Sequence, residues 1–345
     1  MDRLLFIGQL NPVGRSYQRF QTLKRMGHEV DGISTISSAS RFEDLVPFPA
    51  KIMRRAGFPL DLTQSNPKIL DYVGKHKPPI VWIEKGTTIH PDTLKRIKIL
   101  SPHTTLVSVS EDDMYARHNN SDYYRRGLCF YDIVFTTKTY NLSELRQIGA
   151  QKTALFLDAF DDTLHRPTML SATDKKRFQT GVGFIGTFEQ ERAEMMLYLA
   201  KHNIPIVIWG NGWWRLRTKH PNLTIKHQAI YNEDYVKAIG ATDINLCFLR
   251  KINRDQTTSR TAEIPACGGF MLAERTNRHM ELFEDGTEAL FFNSKYHLLH
   301  LIRVYLKNPE RRRAIAQAGR ARCIKSGYSH REQLTKMLAL IKTLP

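Results

Sequence analysis

Cysteine is scarce in this chain and nowhere spaced as a pair. Cys129, Cys247, Cys267 and Cys323 form no C-x-x-C element, which argues against a zinc site and against a disulfide framework. No apolar run approaches the roughly 18–20 residues that a membrane-spanning helix needs. The opening "MDRLLFIGQLNPVG" has too short an apolar part for a secretion signal and reads as a first strand entering a loop, so a cytoplasmic location is expected. No two aspartates are spaced as Asp-x-Asp, and no internal repeat or low-complexity tract occurs. Carboxylates thin out along the chain: residues 166–345 carry 29 Lys and Arg against 16 Asp and Glu, and from Arg303 onward 11 bases face two acids.

What is present belongs to a globular protein, since 41% of the residues are hydrophobic and only 25% are charged. A length of 345 residues exceeds one ordinary core and suits two domains. The formal charge of +17 suits an anionic partner such as a diphosphate, a bilayer surface or nucleic acid, although a solvated basic helical face leaves the same composition. The bases lack the interleaved aromatics of a single-strand platform, and no zinc-finger or RNA-recognition motif occurs, which ranks nucleic acid last. A basic C-terminal helix resting on anionic lipid at the inner face of the membrane is the better use of that charge.

Short apolar runs alternate with helical patterns from Leu4–Ile7 to Glu288–Phe292, as βαβ units with mostly parallel sheets require. The polar run from Ala159 to Arg177 breaks the rhythm and reads as a linker. The expected organisation is an α/β domain over 1–160, a linker over 161–177, a second α/β domain over 178–326, and a C-terminal helix over 327–345 packing back toward the first domain. Ligands of doubly wound sheets bind beyond the carboxyl ends of the strands, so residues directly after strands are the candidates.

Several such positions carry chemistry. "FIGQLNPVGRSYQRF" places Gly8, Asn11 and Gly14 at a strand-to-helix turn, which fits close backbone approach to a ligand or simply a tight turn; the dinucleotide fingerprint G-x-G-x-x-G is missing there. "WIEKG" puts Glu84 and Lys85 after a strand, and "VSEDDMY" puts Glu111, Asp112 and Asp113 after another. Close carboxylates suit proton transfer or hydroxyl orientation, whereas a helix N-cap is the plain structural use of Asp112 or Asp113. "VGFIGTFEQER" and "IVIWGNGWW" mark two neighbouring strand ends with Gly186 and Arg192, and with Gly210 and Asn211, as a ligand rim would.

The densest signal is "TTSRTAEIPACGGFMLAE", Thr257 to Glu274. Thr257, Thr258 and Ser259 lie before and at the N-terminus of a helix expected over roughly Arg260 to Cys267, and the helix N–H groups, the hydroxyls and Arg260 together suit a phosphate. Glu263, one turn in, is placed to accept from a diol such as ribose. A capping box fits that acid poorly, because the residue three before it is Arg260. Asp255 stands eight positions earlier, giving D-x7-E, and Gly268 is a natural helix stop.

This stretch, with "ELFEDGTEALFF" and the basic C-terminal segment, resembles the C-terminal domain of GT-B glycosyltransferases, and more narrowly the spore-maturation CgeB-type glycosyltransferase family. "EKGTTIHPDTLKRIK", "VSEDD" and "FYDIVFTTKTYNLSELRQIGA" are similar, more loosely, to that family's first domain. The resemblance implies a GT-B fold of two Rossmann-like domains with a central cleft, and transfer of a sugar from a nucleotide-diphosphate donor without a catalytic metal or other cofactor. It implies that Glu263 binds the nucleotide ribose, that Asp255 lies near the donor sugar, and that the acceptor is a glycan, a lipid-linked precursor or a protein. Ala262 stands where the family usually has Phe. Gly186, Arg192, Gly210, Asn211, Thr258, Ser259 and Arg260 would then complete the donor site, with Gly8, Asn11, Gly14, Glu84 and Lys85 on the acceptor side. With inversion, Asp112 or Asp113 is the base; with retention, no protein base is required. A nucleotide-sugar-binding protein without transferase activity, or a GT-B epimerase, is the alternative.

Overall fold

The structure, a computed structural model, describes residues 3–37 and 47–344. The chain divides into two compact units, one formed by Met1–Leu157 with His330–Pro345 and the other by Asp158–Ser329.

In the first unit, β1 (Arg3–Gly8), α1 (Arg15–Arg25), β2 (Glu29–Ser34), α2 (Phe48–Arg55), α3 (Ser65–His76), β3 (Ile80–Glu84) and α4 (Pro91–Leu100) follow one another. They continue into β4 (Thr105–Ser110), α5 (Asp122–Gly127), β5 (Ile133–Thr136), α6 (Asn141–Gln147) and β6 (Thr153–Leu155). Among the described residues the six strands make one parallel sheet in the order β2-β1-β3-β4-β5-β6. Helices cover both faces, so the inner strands are buried nearly throughout rather than on one face, and β3 is buried along its whole length.

In the second unit, α7 (Ala172–Phe178), β7 (Thr180–Ile185), α8 (Gln190–Lys201), β8 (Ile206–Trp209), β9 (Leu223–Ile225) and α9 (Asn232–Ala241) lead to β10 (Thr242–Cys247). Then come α10 (Ser259–Ala266), β11 (Met271–Glu274), α11 (Asn277–Leu282), β12 (Leu290–Phe292), α12 (Lys295–Leu306) and α13 (Pro309–Lys325). The parallel sheet runs β12-β11-β10-β7-β8-β9, so the chain reverses its direction of travel between β7 and β10. That reversal opens a crevice at the strands' carboxyl ends. Val182, Phe184, Leu246 and Leu272 fill the core below it.

The last helix, α14 (His330–Ile341), belongs to the first unit. Leu334, Met337, Leu338 and Ile341 join the core around Leu4, Phe6 and Val107, and Gln333 Oε1 accepts from the Leu157 N–H at 3.1 Å. The apolar side of this helix is therefore buried in the first unit's core. Residues 161–177, expected as a linker, lie in the second unit: a turn from Asp161 to His165, held by the Asp161 N–H donating to His165 Nδ1 at 2.9 Å, precedes α7.

Candidate functional site

The crevice of the second unit is lined with positive charge. Gly186 follows β7, and a side-chain carbon there would lie 2.7 Å from the Phe184 ring and 3.2 Å from Arg260 Nη2, so only glycine leaves the arginine its position. Arg260 donates through Nε to the Ile185 carbonyl at 2.6 Å and has no carboxylate partner among the described residues. Arg192, on α8, is buried, and its guanidinium makes only long bonds, to the Thr187 carbonyl at 3.3 Å and the Phe248 carbonyl at 3.4 Å. Its Nε has no hydrogen-bond partner, and Glu189 stands 3.7 Å away. Burial lowers the Arg192 pKa, and the neighbouring Arg260 and Arg250 add to the effect against Glu189. Both guanidinium groups flank one ring, that of Phe184, at 5.7 and 6.0 Å from its centre. Two cations held this close, one of them without a counter-charge, attract an anion with two negative centres.

The rim beside them is built from glycine. Gly210, after β8, approaches Gly186 so closely that a side-chain carbon would fall 1.9 Å from the Gly186 carbonyl oxygen. The same oxygen accepts from Trp213 Nε1 at 2.8 Å, and the Phe188 N–H donates to the Asn211 carbonyl at 2.9 Å. Asn211 Oδ1 accepts from the Ala229 N–H at 3.1 Å. The two glycine-marked strand ends thus form one bonded edge. A cavity of about 290 Å³ opens next to Arg192, lined also by Glu189, Phe248, Lys251, Glu274 and Asn293.

The start of α10 differs from the expected one. The helix begins at Ser259, and Thr258 caps it, with its hydroxyl accepting from the Arg260 N–H at 3.3 Å while the Thr258 N–H donates to Thr261 Oγ1 at 3.1 Å. A capping box therefore exists between Thr258 and Thr261, two positions before Arg260 and Glu263, because Thr at the third helical position reaches back as Glu does, and Glu263 takes no part in it. The hydroxyls turn inward: Thr257 Oγ1 donates to Asp158 Oδ2 at 2.8 Å, and Ser259 Oγ donates to Glu263 Oε2 at 3.2 Å. Each donates to an internal acceptor, whereas Arg260 has no carboxylate partner among the described residues. Gly268, with φ of 77°, ends the helix, and the Gly269 N–H closes the turn on the Ile264 carbonyl at 3.0 Å.

Glu263 sits in a buried polar group. Tyr235 donates to its Oε2 at 2.6 Å, and His165 Nε2 lies 4.0 Å from Oε1. Burial, and then the Glu263 carboxylate, push the Tyr235 phenol well above its ordinary pKa, which keeps it a donor. Because His165 Nδ1 accepts from the backbone, its proton resides on Nε2, facing the carboxylate. Neither Tyr235 nor His165 was a sequence candidate. Tyr235 lies on α9, 28 residues before the acid, and His165 in the turn before α7, so neither is near Glu263 in sequence. Asp255 lies apart from this group, in a turn where its carboxylate accepts from Asn253 Nδ2 at 2.6 Å and from the Arg250 N–H at 3.3 Å.

In the first unit the post-strand acids are neutralised from within. Arg19 clasps Glu84 at 2.8 and 2.6 Å and reaches Glu111 at 2.5 Å, and Arg15 also meets Glu111 at 2.5 Å. Burial raises the Glu111 pKa, but Arg15, Arg19 and His330 outweigh it and bring it to about 2. Lys85, in the left-handed region at φ of 61°, pairs with Asp112 at 2.5 Å. Against the raising effect of burial, that lysine holds the Asp112 pKa below its ordinary value, which makes it a weak base. Asp113 caps no helix; it is buried, accepting from Asn141 Nδ2 at 2.9 Å and from the Tyr115 N–H at 3.2 Å. Gly8 allows α1 to approach, since a side-chain carbon there would lie 2.5 Å from Ser16 Oγ. Asn11 and Gly14 form the turn into α1, with the Gly14 N–H on the Asn11 carbonyl at 2.8 Å. Among the described residues no three His, Cys, Asp or Glu gather as a metal site requires, and no helix is long and apolar enough to cross a membrane.

Solved structures share this architecture over the full chain. HepE from Anabaena, in complex with UDP and glucose, matches with a TM-score of 0.64 at 12% identity, covering 98% of this chain and 100% of that one. The sucrose-phosphate synthase of Thermosynechococcus elongatus matches with a TM-score of 0.67 at 14% identity, covering 100% and 99%. A glycosyltransferase from Rickettsia africae matches with a TM-score of 0.65 at 13% identity, covering 99% and 98%. The fold is GT-B.

Within the GT-B frame, residues 191–339 also match the family model described as "Glycosyl transferase-like". The match takes in Arg192, Gly210, Asn211 and the whole of Thr257–Glu263, and leaves most of the first unit outside. No curated protein matches the chain in sequence.

Proposed function

We propose that the protein is a glycosyltransferase that takes a sugar from a nucleotide-diphosphate donor held by the second unit. The observation that carries this reading is the convergence of Arg192 and Arg260 on Phe184 beside Gly186, at the sheet's reversal point. The family match over residues 191–339, and the GT-B neighbour crystallised with UDP and with UDP-glucose, support it.

Breaking the bond between the sugar and the diphosphate leaves negative charge on the departing phosphate. Arg260 and Arg192 are fixed cations at that place and lower the barrier without reorganising, worth several kcal/mol by the scale of oxyanion-type stabilisation, about 3–4 kcal/mol for one donor. In this reading they supply the charge that a divalent metal supplies elsewhere, and no resident metal or other cofactor is invoked. Glu263, oriented by Tyr235 and His165, receives the ribose hydroxyls. The acceptor is a glycan, a lipid-linked precursor or a protein, as in polysaccharide assembly of the CgeB-like kind, at the cytoplasmic side. Of the post-strand acids Glu84, Glu111, Asp112 and Asp113, Asp112 is the most open to an acceptor hydroxyl, and its lowered pKa favours orientation over proton removal.

Incubation with a panel of UDP- and GDP-sugars, reading release of the free nucleoside diphosphate, tests the proposal. The wild type should release it, and Arg260→Ala should slow release about 100-fold or more. The absence of both release and binding across the panel would remove the reading. A purely binding protein is the second reading, favoured by the capture of Asp255 within its own turn; binding without any hydrolysis or transfer would decide for it.

A further inference from the structure

Between Glu194 and Glu233 the chain contains no carboxylate side chain, yet beyond Lys201 it carries Arg215, Arg217, Lys219 and Lys226. All four are exposed, and none meets a carboxylate among the described residues. Arg215 and Lys226 instead lie over indole rings, of Trp214 at 5.4 Å and Trp209 at 5.7 Å. Arg217 and Lys219 line an open groove of about 750 Å³ along the edge strand β9, whose walls also include Trp214, Leu216, Leu223 and Ile225 and no acid.

Trp214 is 72% exposed, whereas Trp82, Trp209 and Trp213 are 0%, 7% and 0% exposed. The backbone explains the contrast. Gly212, with φ of 78°, starts a short turn in which Trp213 points inward and donates to the Gly186 carbonyl at 2.8 Å. Its neighbour must then project outward. An exposed indole beside a groove lined by bases and no acid joins an amphipathic ring to positive charge, the pairing that an anionic interface takes up.

We propose that this β9 edge, from Trp214 to His227, is a docking surface for an anionic lipid bilayer. The indole and Leu216 enter the boundary between headgroups and acyl chains, where amphipathic rings are favoured, and Arg215, Arg217, Lys219 and Lys226 lie at the level of the lipid phosphates. A polynucleotide fits less well, because one exposed ring provides no series of stacking platforms. The surface accounts for a share of the excess positive charge that α14 does not use. It is independent of the sugar-nucleotide reading and stands or falls without it.

The arrangement supplies its own probe, since Trp214 alone among the four indoles faces solvent. The full chain is mixed with vesicles of phosphatidylcholine alone and with vesicles that also contain phosphatidylglycerol, following sedimentation and tryptophan emission. Phosphatidylglycerol vesicles should sediment the protein and shift emission to the blue, and raised salt should reverse both. Trp214→Phe should abolish the shift, and R217E/K219E should weaken partitioning about 25-fold or more, given about fivefold per base. Three results would overturn the proposal: no phosphatidylglycerol-dependent sedimentation, sedimentation with unchanged emission, or partitioning that R217E/K219E leaves intact. A response to RNA but not to vesicles would likewise replace the bilayer with a polynucleotide.

Discussion

Tyr235 donates its hydroxyl hydrogen to Glu263 at 2.6 Å, joining α9 to α10 across 28 residues of sequence. The acid is 6% exposed, so its charge depends on donors inside the protein. Tyr235→Phe removes the shorter of its two hydrogen bonds and leaves Ser259 as the remaining close donor. Loss of such a bond to a buried carboxylate should cost about 1–3 kcal/mol. A thermal melt should show a drop of about 2–4 °C for each kcal/mol lost.

Gly210 is fixed by contact rather than by local sequence. A methyl group added there would meet the Gly186 carbonyl oxygen at 1.9 Å, so the two strand ends must separate. Gly210→Ala should destabilise by about 2–3 kcal/mol, the range of an overpacked interior. Urea unfolding would show it as a lower midpoint at unchanged slope.

The pH dependence follows from His279. It is fully buried, with Nδ1 on the Glu274 carbonyl and Nε2 2.9 Å from the Thr261 hydroxyl, and burial lowers its pKa from 6.5 to about 4. The unfolded chain takes up a proton there near 6.5 and the folded chain only near 4. Stability is therefore complete above the first value and falls as pH is lowered toward the second, by about 3 kcal/mol in all. Urea midpoints measured from neutral to acid pH should fall less steeply for His279→Gln than for the wild type.

Arg19 holds Glu84 and Glu111 together in the first unit. Arg19→Leu strands two acids and should cost about 3–5 kcal/mol, while the pair R19L/E84L should regain part of the loss. Denaturant unfolding of the three proteins gives the comparison directly.

The strands were readable because a parallel sheet covered on both faces writes itself as continuous apolar runs; "IVWIE" and "IVFT" admit little else. The glycines at 186, 210, 268 and 269 were readable for a related reason, since each stands where an element ends. What escaped was anything settled between distant segments. Glu84 and Asp113 have the right place and type for acceptor chemistry, and only the fold reveals that Arg19 and Asn141 have already claimed them. The same holds for Thr257 and Ser259, whose hydroxyls look free in the sequence and are taken by Asp158 and Glu263. Arg192 and Arg260 lie 68 positions apart and come to flank one ring, that of Phe184, only because β7 and β10 are neighbours.

Calorimetric titration of the wild type and Arg260→Ala with UDP, GDP and the corresponding monophosphates tests the central claim most directly. A diphosphate should bind the wild type more tightly than its monophosphate, and Arg260→Ala should lose about 10- to 100-fold of that affinity, as for a charge-assisted bond. Equal affinity for the two proteins, or no binding of any diphosphate, would contradict it.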